Sequence, residues 1–568
     1  MRKLTNLLIL FIITPVISFS QVKSKVWYDG NSRAMFYRDA LSGDLKKQDT
    51  TSTRSEGEGY TAIDLGIHFT PNEDIEILSE IRIKNDFGFM WGSGSYVDLR
   101  RLSVKGILQN RVNFNIGDIY LKQTEFTLYN NEHELSLYEP YVFKAYRDLI
   151  TYENYYLENY WRMQGIQTNF SYTFYNFLKN IDVDLFTSRV KGVEWLGDPE
   201  LLMLGGTSLF RLSNNIVVNF HHVNSFEVQS SSLDTSTYYN PVSNIQLSHK
   251  RKVGNKSYNL DLQFGNSIRQ WKSTTSFDFP KISGRFLSGS VKIKSKNMLS
   301  SILFNYVDPN FRSVGAQTRR VQYETLPSTY AYYTNNTLIR PISLLDITTD
   351  PNIYNQYLST KLMSFNPLYA SVLPYGKSTP NRLGFVYNYN YFGYDFLSSK
   401  SYLSYFKEIA GQGTTEKRNF LSFGFNVDFK LHKLIKNINK SSIEFSLNVE
   451  NINRNGNDLE KIDLKTNLVG LGATYELFKD LKLISGIKIF AGKGNEVETI
   501  RDDFDQIIDF DLKSYDTNES ISLVGLQYNF SDDIYLTLQT NKINFTDNIS
   551  DINKLSLSRV YFMFNMNL

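Results

Sequence analysis

The chain of 568 residues has no cysteine, only 13 prolines and 6 histidines, and no surplus of either charge, with 61 Lys and Arg against 58 Asp and Glu. The lack of cysteine excludes a disulfide framework, a thiolate metal site and a lipid-anchored N-terminal cysteine. The balanced charge excludes nucleic-acid binding by electrostatics. No apolar stretch after the first twenty residues reaches the ~18 needed for a spanning helix. The six histidines, His68, His133, His221, His222, His249 and His432, show no metal-ligand spacing, and His221 and His222, on one strand, point to opposite faces. No G-x-S-x-G, H-E-x-x-H or P-loop is present. Catalytic residues, a metal and a cofactor are therefore not expected, and the chain does not read as an enzyme. Trp91-Gly-Ser-Gly-Ser95 precedes a strand and not a helix, so it suits an outer loop better than a phosphate cradle. Asp502-Asp503 and Asp532-Asp533 read as solvated turn residues, without the spaced ligand set that calcium needs.

Aromatic residues are abundant, at 15% of the chain with 38 Tyr and 40 Phe. Residues 1–20 have the form of a secretory signal: Arg2 and Lys3, an apolar run from Leu7 to Val16, and a small-x-small site at Ser18-Phe-Ser20. Its removal lowers the formal charge from +3 by the two basic residues it carries. An exported chain of this size without disulfides must be held together by something else.

That something is visible as a period of two, which sends successive side chains to opposite faces of a strand. Leu421, Phe423, Phe425, Val427, Phe429 and Leu431 alternate with Ser422, Gly424, Asn426, Asp428 and Lys430. Ile443, Phe445, Leu447 and Val449 alternate with Glu444, Ser446, Asn448 and Glu450. The pattern returns at 75–84, 181–185, 258–264, 481–489 and 534–538. Short connections (71–73, 109–111, 212–215, 253–256, 477–480, 531–533) take turns with longer excursions (85–96, 122–160, 226–239, 308–380, 491–517). Short turns thus lie at one end of the sheet and long loops at the other. A bilayer imposes this arrangement, because only helices or a closed sheet satisfy every backbone group in hydrocarbon. A soluble sandwich or propeller gives no reason for one end to have only short turns.

The expectation is an all-β, transmembrane, antiparallel up-and-down barrel spanning 21–568, with about 22 strands within a range of about 18 to 26. It starts near Val26 to Tyr37, and its long loops lie near 122–160 and 308–380. Val560, Phe562, Phe564, Met566 and Leu568 would face lipid in a final strand that closes the sheet on the first, with Arg559, Tyr561, Asn565 and Asn567 facing inward. Trp91, Trp161, Trp195 and Trp271 fall at the long-loop end and Trp27 at the other, as interfacial aromatics would.

The signal ending before Gln21, the alternating strands and the aromatic final strand together resemble outer-membrane β-barrel proteins of the porin type, in the style of Gram-negative Bacteroidota. The resemblance covers essentially the whole mature chain and is one of architecture. It implies export by the general secretory route, outer-membrane lipid as surroundings, and the barrel-assembly machinery as the reader of the last strand. In that class the strand commonly ends in Phe, whereas this one ends in Leu568. Twenty-two strands is also the size of TonB-dependent transporters, but strand-like alternation starts too early here for their N-terminal plug domain.

For function, Tyr146, Arg147, Tyr152, Glu153, Tyr155, Tyr156, Glu158 and Arg162 lie in an aromatic and charged stretch from Tyr138 to Trp161. Folded into the lumen, such a stretch could hold a sugar or peptide by stacking and hydrogen bonds. The same residues also suit an outer rim or an ordinary external loop. Glu80, Arg82, Asp182 and Asp184 would line a wet interior of both charge signs, so strong ion selectivity is not expected. The leading reading is a porin or substrate channel passing small hydrophilic solutes by passive diffusion. The other is a non-conducting barrel serving as a scaffold in secretion or surface assembly.

Overall fold

The computed structural model describes residues 25–44, 54–87, 94–129, 138–151, 163–174, 178–191, 200–229, 236–273, 281–316, 342–349, 362–369, 371–501, 507–531, 533–551 and 553–567. They form one antiparallel sheet of 22 strands. In chain order the strands are β1 (Lys25–Gly43), β2 (Arg54–Asn72), β3 (Ile75–Asp86), β4 (Ser95–Leu108), β5 (Val112–Ile119), β6 (Met163–Thr173), β7 (Asn180–Lys191), β8 (Glu200–Arg211), β9 (Ile216–Val228), β10 (Ser236–Val253) and β11 (Lys256–Ser273). They continue as β12 (Ile282–Lys294), β13 (Met298–Val307), β14 (Arg382–Tyr394), β15 (Leu397–Lys407), β16 (Asn419–Lys430), β17 (Ser441–Arg454), β18 (Ile462–Phe478), β19 (Leu481–Arg501), β20 (Ile507–Asn529), β21 (Ile534–Asp547) and β22 (Lys554–Asn567). Each pairs with its sequence neighbours, and β22 returns to β1, in register from Asn31 opposite Asn567 to Gly43 opposite Leu555. The sheet is therefore a closed barrel, the strand count matches the expectation, and no separate plug domain is present among the described residues.

Parity decides the faces. In β22 Leu555, Leu557, Arg559, Tyr561, Met563 and Asn565 are buried, while Val560 is 49% exposed. Val560, Phe562, Phe564 and Met566 alternate with them and look outward, as expected; Leu568 lies outside the described residues. Around the ring the outward positions are apolar and uncovered by protein, Leu421, Phe423, Leu471, Ile487 and Phe304 among them. Such a continuous apolar outer face is what hydrocarbon covers.

Two expectations need correction. The excursion at 491–517 is not a loop: β19 and β20 continue pairing up to Arg501 opposite Ile507, forming a hairpin that outreaches its neighbours. The inward Glu496 on this extension receives Arg418 Nη1 at 3.2 Å, and Arg418 Nη2 reaches the Val497 carbonyl at 2.5 Å, so the hairpin carries the 408–418 loop. Trp27 and Trp271 stand at opposite ends of the barrel, and the register turns both inward. Trp27 lies opposite His68 and stacks on it at 3.3 Å. Trp271 is buried beside Tyr238 and under the Arg269 guanidinium at 5.3 Å. Both rings find polar partners on the inner wall that the lipid face does not offer. Trp91, Trp161 and Trp195 lie outside the described residues.

At the seam, Arg559 donates to both Asp39 carboxylate oxygens, at 2.7 and 2.5 Å, with the Arg559 side chain 0% and the Asp39 side chain 4% exposed. A buried charge left without its partner is costly, about 3–5 kcal/mol. Arg559→Met is expected to destabilise the refolded barrel by about that amount in denaturant titration, and Asp39→Asn on top of it to recover a large part. A loss below about 1 kcal/mol for the single change would show that the seam does not depend on this pair.

Candidate functional site

A ring of this many strands encloses more space than wall side chains can fill. Three stretches from the long-loop end fold back into it. The first follows β5: Lys122 and Tyr129 pair across a tight turn whose Thr124 and Thr127 hydroxyls are 3.1 Å apart. Its Phe126 is fully buried, stacks on Phe286 at 3.9 Å, and joins Phe311, Phe186, Met203 and Val223 in one apolar cluster. This stretch coats the wall from β5 to β13.

The second stretch is 138–151. Pro140, with φ of −61° and no N–H to satisfy, opens a single 3-10 turn (Tyr141–Phe143) that runs into helix α1 (Lys144–Thr151). Ala145, Tyr146, Leu149 and Ile150 form one stripe on α1 and pack on Met35, Tyr37, Tyr60, Tyr535 and Tyr561 of the wall. Burying Leu149 and Ile150 contributes about 1.5–3 kcal/mol each, which offsets the roughly 1.5–3 kcal/mol per residue of ordering their backbone and side chains. The entry turn sits on inward glycines of β18 and β19. A Cβ at Gly472 would lie 2.6 Å from Pro140 Cβ, and one at Gly486 2.7 Å from Val142 Cγ2. The wall adds two hydrogen bonds: Tyr141 N–H donates to Glu444 Oε2 at 2.8 Å, and Asn448 Nδ2 donates to the Tyr138 carbonyl at 2.7 Å.

The third stretch, within 342–381, holds a short helix α2 (Leu344–Thr349) and the segment 362–381. Leu344, Leu345, Ile347, Leu362, Phe365, Leu368 and Tyr369 pack on inward Ile452, Leu464, Phe490, Ile521, Phe545 and Leu557. The three stretches are tied together. Tyr146 Oη donates to the Leu362 carbonyl at 2.8 Å, Lys488 Nζ reaches Glu139 at 3.1 Å and the Ser364 carbonyl at 2.6 Å, and Lys377 Nζ reaches Glu125 at 2.8 Å. Burial alone would raise the Glu125 carboxyl. The Lys377 charge, its hydrogen bond and Glu125's own backbone N–H outweigh that and hold it below its ordinary 4.5.

Of the residues singled out in the sequence, Tyr146 is buried under this inner layer and Arg147 pairs with Glu139. Tyr146 is thereby closed to a solute, while Arg147 stays 27% exposed beside its partner. Tyr152, Glu153, Tyr155, Tyr156, Glu158 and Arg162 lie outside the described residues. Arg82 grips Asp64 with two bonds of 2.6 Å on the inner wall, and Glu80 lies on the same face. Asp182 accepts from Ser171 Oγ at 2.5 Å and Asp184 from Gln167 Nε2 at 2.7 Å.

These last two belong to a polar sector that the sequence reading did not assemble. On β8 to β11, Thr207 bonds His221 at 2.9 Å, His221 and Asn219 reach Gln246 Oε1 at 3.3 and 3.1 Å, and Gln246 donates to Asp261 at 2.6 Å. Gln263 bonds Asp261 at 3.1 Å and Asn244 at 3.0 Å. The only advance signal was parity: each of these amides sits on the polar side of its strand. The inward glycines that seat Pro140 carried the same kind of signal.

No protein-family model matches the sequence, and no curated protein matches it. Among solved structures, OccK11 (OpdR) of Pseudomonas aeruginosa aligns at 9% identity over 97% of this chain and 100% of its own, with a TM-score of 0.34. OccAB4 of Acinetobacter baumannii gives 9%, 97%, 100% and 0.30, and the outer membrane protein opdK of P. aeruginosa 9%, 95%, 99% and 0.33.

Two outcomes follow from the seat and the tie. Gly472→Leu is expected to push the 138–151 stretch off the wall, seen as at least tenfold faster amide exchange across 144–151 with the barrel still folded; unchanged protection would remove the seat's role. The folded Glu125 value is depressed, so its stabilising tie is complete above about pH 4.5 and is lost as pH falls through the folded value. Exchange protection of 121–129, corrected for intrinsic rate, should therefore fall below about pH 4.5, and Glu125→Gln should show the same loss at pH 7.

Proposed function

We propose that this chain is an outer-membrane channel of a Gram-negative bacterium that passes small hydrophilic solutes through a lumen narrowed by its own loops. The observation that supports this most is the division of the inner wall. From β3 to β11, on the short-turn side of the apolar cluster around Phe126, it is hydrogen-bonded amide, carboxylate and hydroxyl groups, the lining a wet path needs, while the second and third stretches cover the wall from β14 to β2. The two described ion pairs that tie the layer together, Lys377 with Glu125 and Lys488 with Glu139, make it a fixed constriction.

The competing reading, a non-conducting barrel used as a scaffold in secretion or surface assembly, draws its support from the size of the apolar cluster between the third stretch and β14 to β1. Insertion by the barrel-assembly machinery is common to both readings.

Planar-bilayer recording on the refolded protein separates them. The channel reading expects discrete current steps for the native chain and larger ones after deletion of 138–151, which removes part of the constriction. Silence in both, with a partner co-purifying at fixed stoichiometry, would sink it.

A further inference from the structure

At the short-turn end of the barrel a cavity of ≈ 460 Å³ is lined on the inner wall by Glu76, Lys105, Asn113, Asn115, Gln167 and Asn169, with the exposed Glu73 and Asp74 of the β2–β3 turn and apolar groups such as Ile107 at its rim. The volume falls within the roughly 300–1,000 Å³ typical of small-molecule sites. The register shows how it is built. Glu76 stands opposite Lys105, Lys105 opposite Asn115, and Asn115 opposite Gln167, so one residue from each of β3, β4, β5 and β6 forms a straight row. Residues opposite each other share a face, and Leu78 and Arg82, buried on the same side of β3, mark it as the inner one. Neighbouring strands are ~4.8 Å apart, so the row spans roughly 14 Å. Asn113 and Asn169 form a second row below it, bonded to each other at 2.6 Å.

The chemistry of the row is unspent at its centre. Glu76 uses Oε1 on His68 at 2.5 Å, and its second oxygen has no hydrogen-bond partner among the described residues. Lys105 makes no ion pair among the described residues, although a carboxylate stands opposite it. Asn115, between Lys105 and Gln167, has a buried Oδ1, an acceptor with no hydrogen-bond partner among the described residues. Elsewhere on the inner wall, pairs such as Arg559 with Asp39 and Arg82 with Asp64 are closed.

We propose that this row is a binding site for small zwitterions of the α-amino acid type, at the short-turn mouth of the lumen. The solute carboxylate takes Lys105, its ammonium takes the free oxygen of Glu76, and an N–H of a polar side chain donates to the unpartnered Asn115 Oδ1 while the rest of that side chain lies along Asn169 and Asn113. A dicarboxylate would meet Glu76 and a diamine would meet Lys105, each a like-charge contact. A neutral sugar would leave both charges without a counter-charge. Charge-assisted bonds of both signs at adjacent strands therefore favour a solute carrying both charges on neighbouring atoms.

The inference rests on the channel reading for its purpose, but its test needs no current. Titration calorimetry on the full refolded barrel in detergent, with L-glutamine as probe, is expected to give a Kd on the order of 1 mM or tighter, with putrescine, succinate and glucose at least tenfold weaker. Lys105→Met should weaken glutamine about tenfold, and Asn115→Ala, a milder change at a side chain whose Oδ1 has no partner among the described residues, about three- to tenfold. Both variants should keep the heat-modifiable gel mobility of a folded barrel. Absence of glutamine binding, equal binding of glucose, or two folded variants that bind as the native chain does would each overturn the assignment. Glutamine binding by a barrel that carries no current would leave the site standing and remove only the channel.

Discussion

Every peptide group of a strand that crosses hydrocarbon must find its partner within the protein, because lipid offers none and an unpaired group costs several kcal/mol. Pairing β22 with β1 meets that demand for the last two edges, and the rest of the structure follows from it. With both edges gone, the alternation of each strand has one meaning around the whole ring: one set of side chains meets lipid, the other the interior. The buried Asp39–Arg559 pair sits at this join, where a slip of one residue would turn Arg559 out to lipid.

Closure at this width creates a second problem, which is space. The chain fills it with its own loops rather than with a separate domain. The three inner stretches are held by ordinary core physics, apolar stripes on apolar wall, and the wall is shaped to receive them. Gly470, Gly472 and Gly486 present bare backbone where Pro140 and Val142 press in, and Glu444, Asn448 and Glu450 spend their hydrogen bonds on the backbone of those stretches. Inward charges that look in isolation like pore lining are, in these cases, anchors.

The filling is uneven, and that unevenness gives the lumen its character. Between β14 and β2 the inner wall is covered by the second and third stretches, with buried polar anchors such as Asn448, Glu450, Lys488 and Arg559 set among its apolar side chains. From β3 to β11, below the Phe126 turn, it is a hydrogen-bonded sheet of Asn, Gln, Asp and His with a cavity at the short-turn mouth. A wall of that kind can face water or a polar solute without penalty.

Alternation, together with the regular exchange of short turns and long excursions, was sufficient to set the class and the approximate strand count, and alternation itself the outward face of Val560, Phe562, Phe564 and Met566, because a period of two on a membrane barrel is a statement about two solvents. It also put Glu80, Arg82, Asp182 and Asp184 on the inner side. It could not say what each inward group would meet. That Tyr146 is covered, that Trp27 and Trp271 turn inward, that 491–517 continues as a hairpin, and that Glu76, Lys105, Asn115 and Gln167 share one row depend on strand register and on loops returning to the wall. Those are contacts between residues tens to hundreds of positions apart, and no local periodicity encodes them. The sequence by itself determined which side of each strand faces lipid; only the tertiary structure decided which inward side chains are spent on holding loops and which are left free.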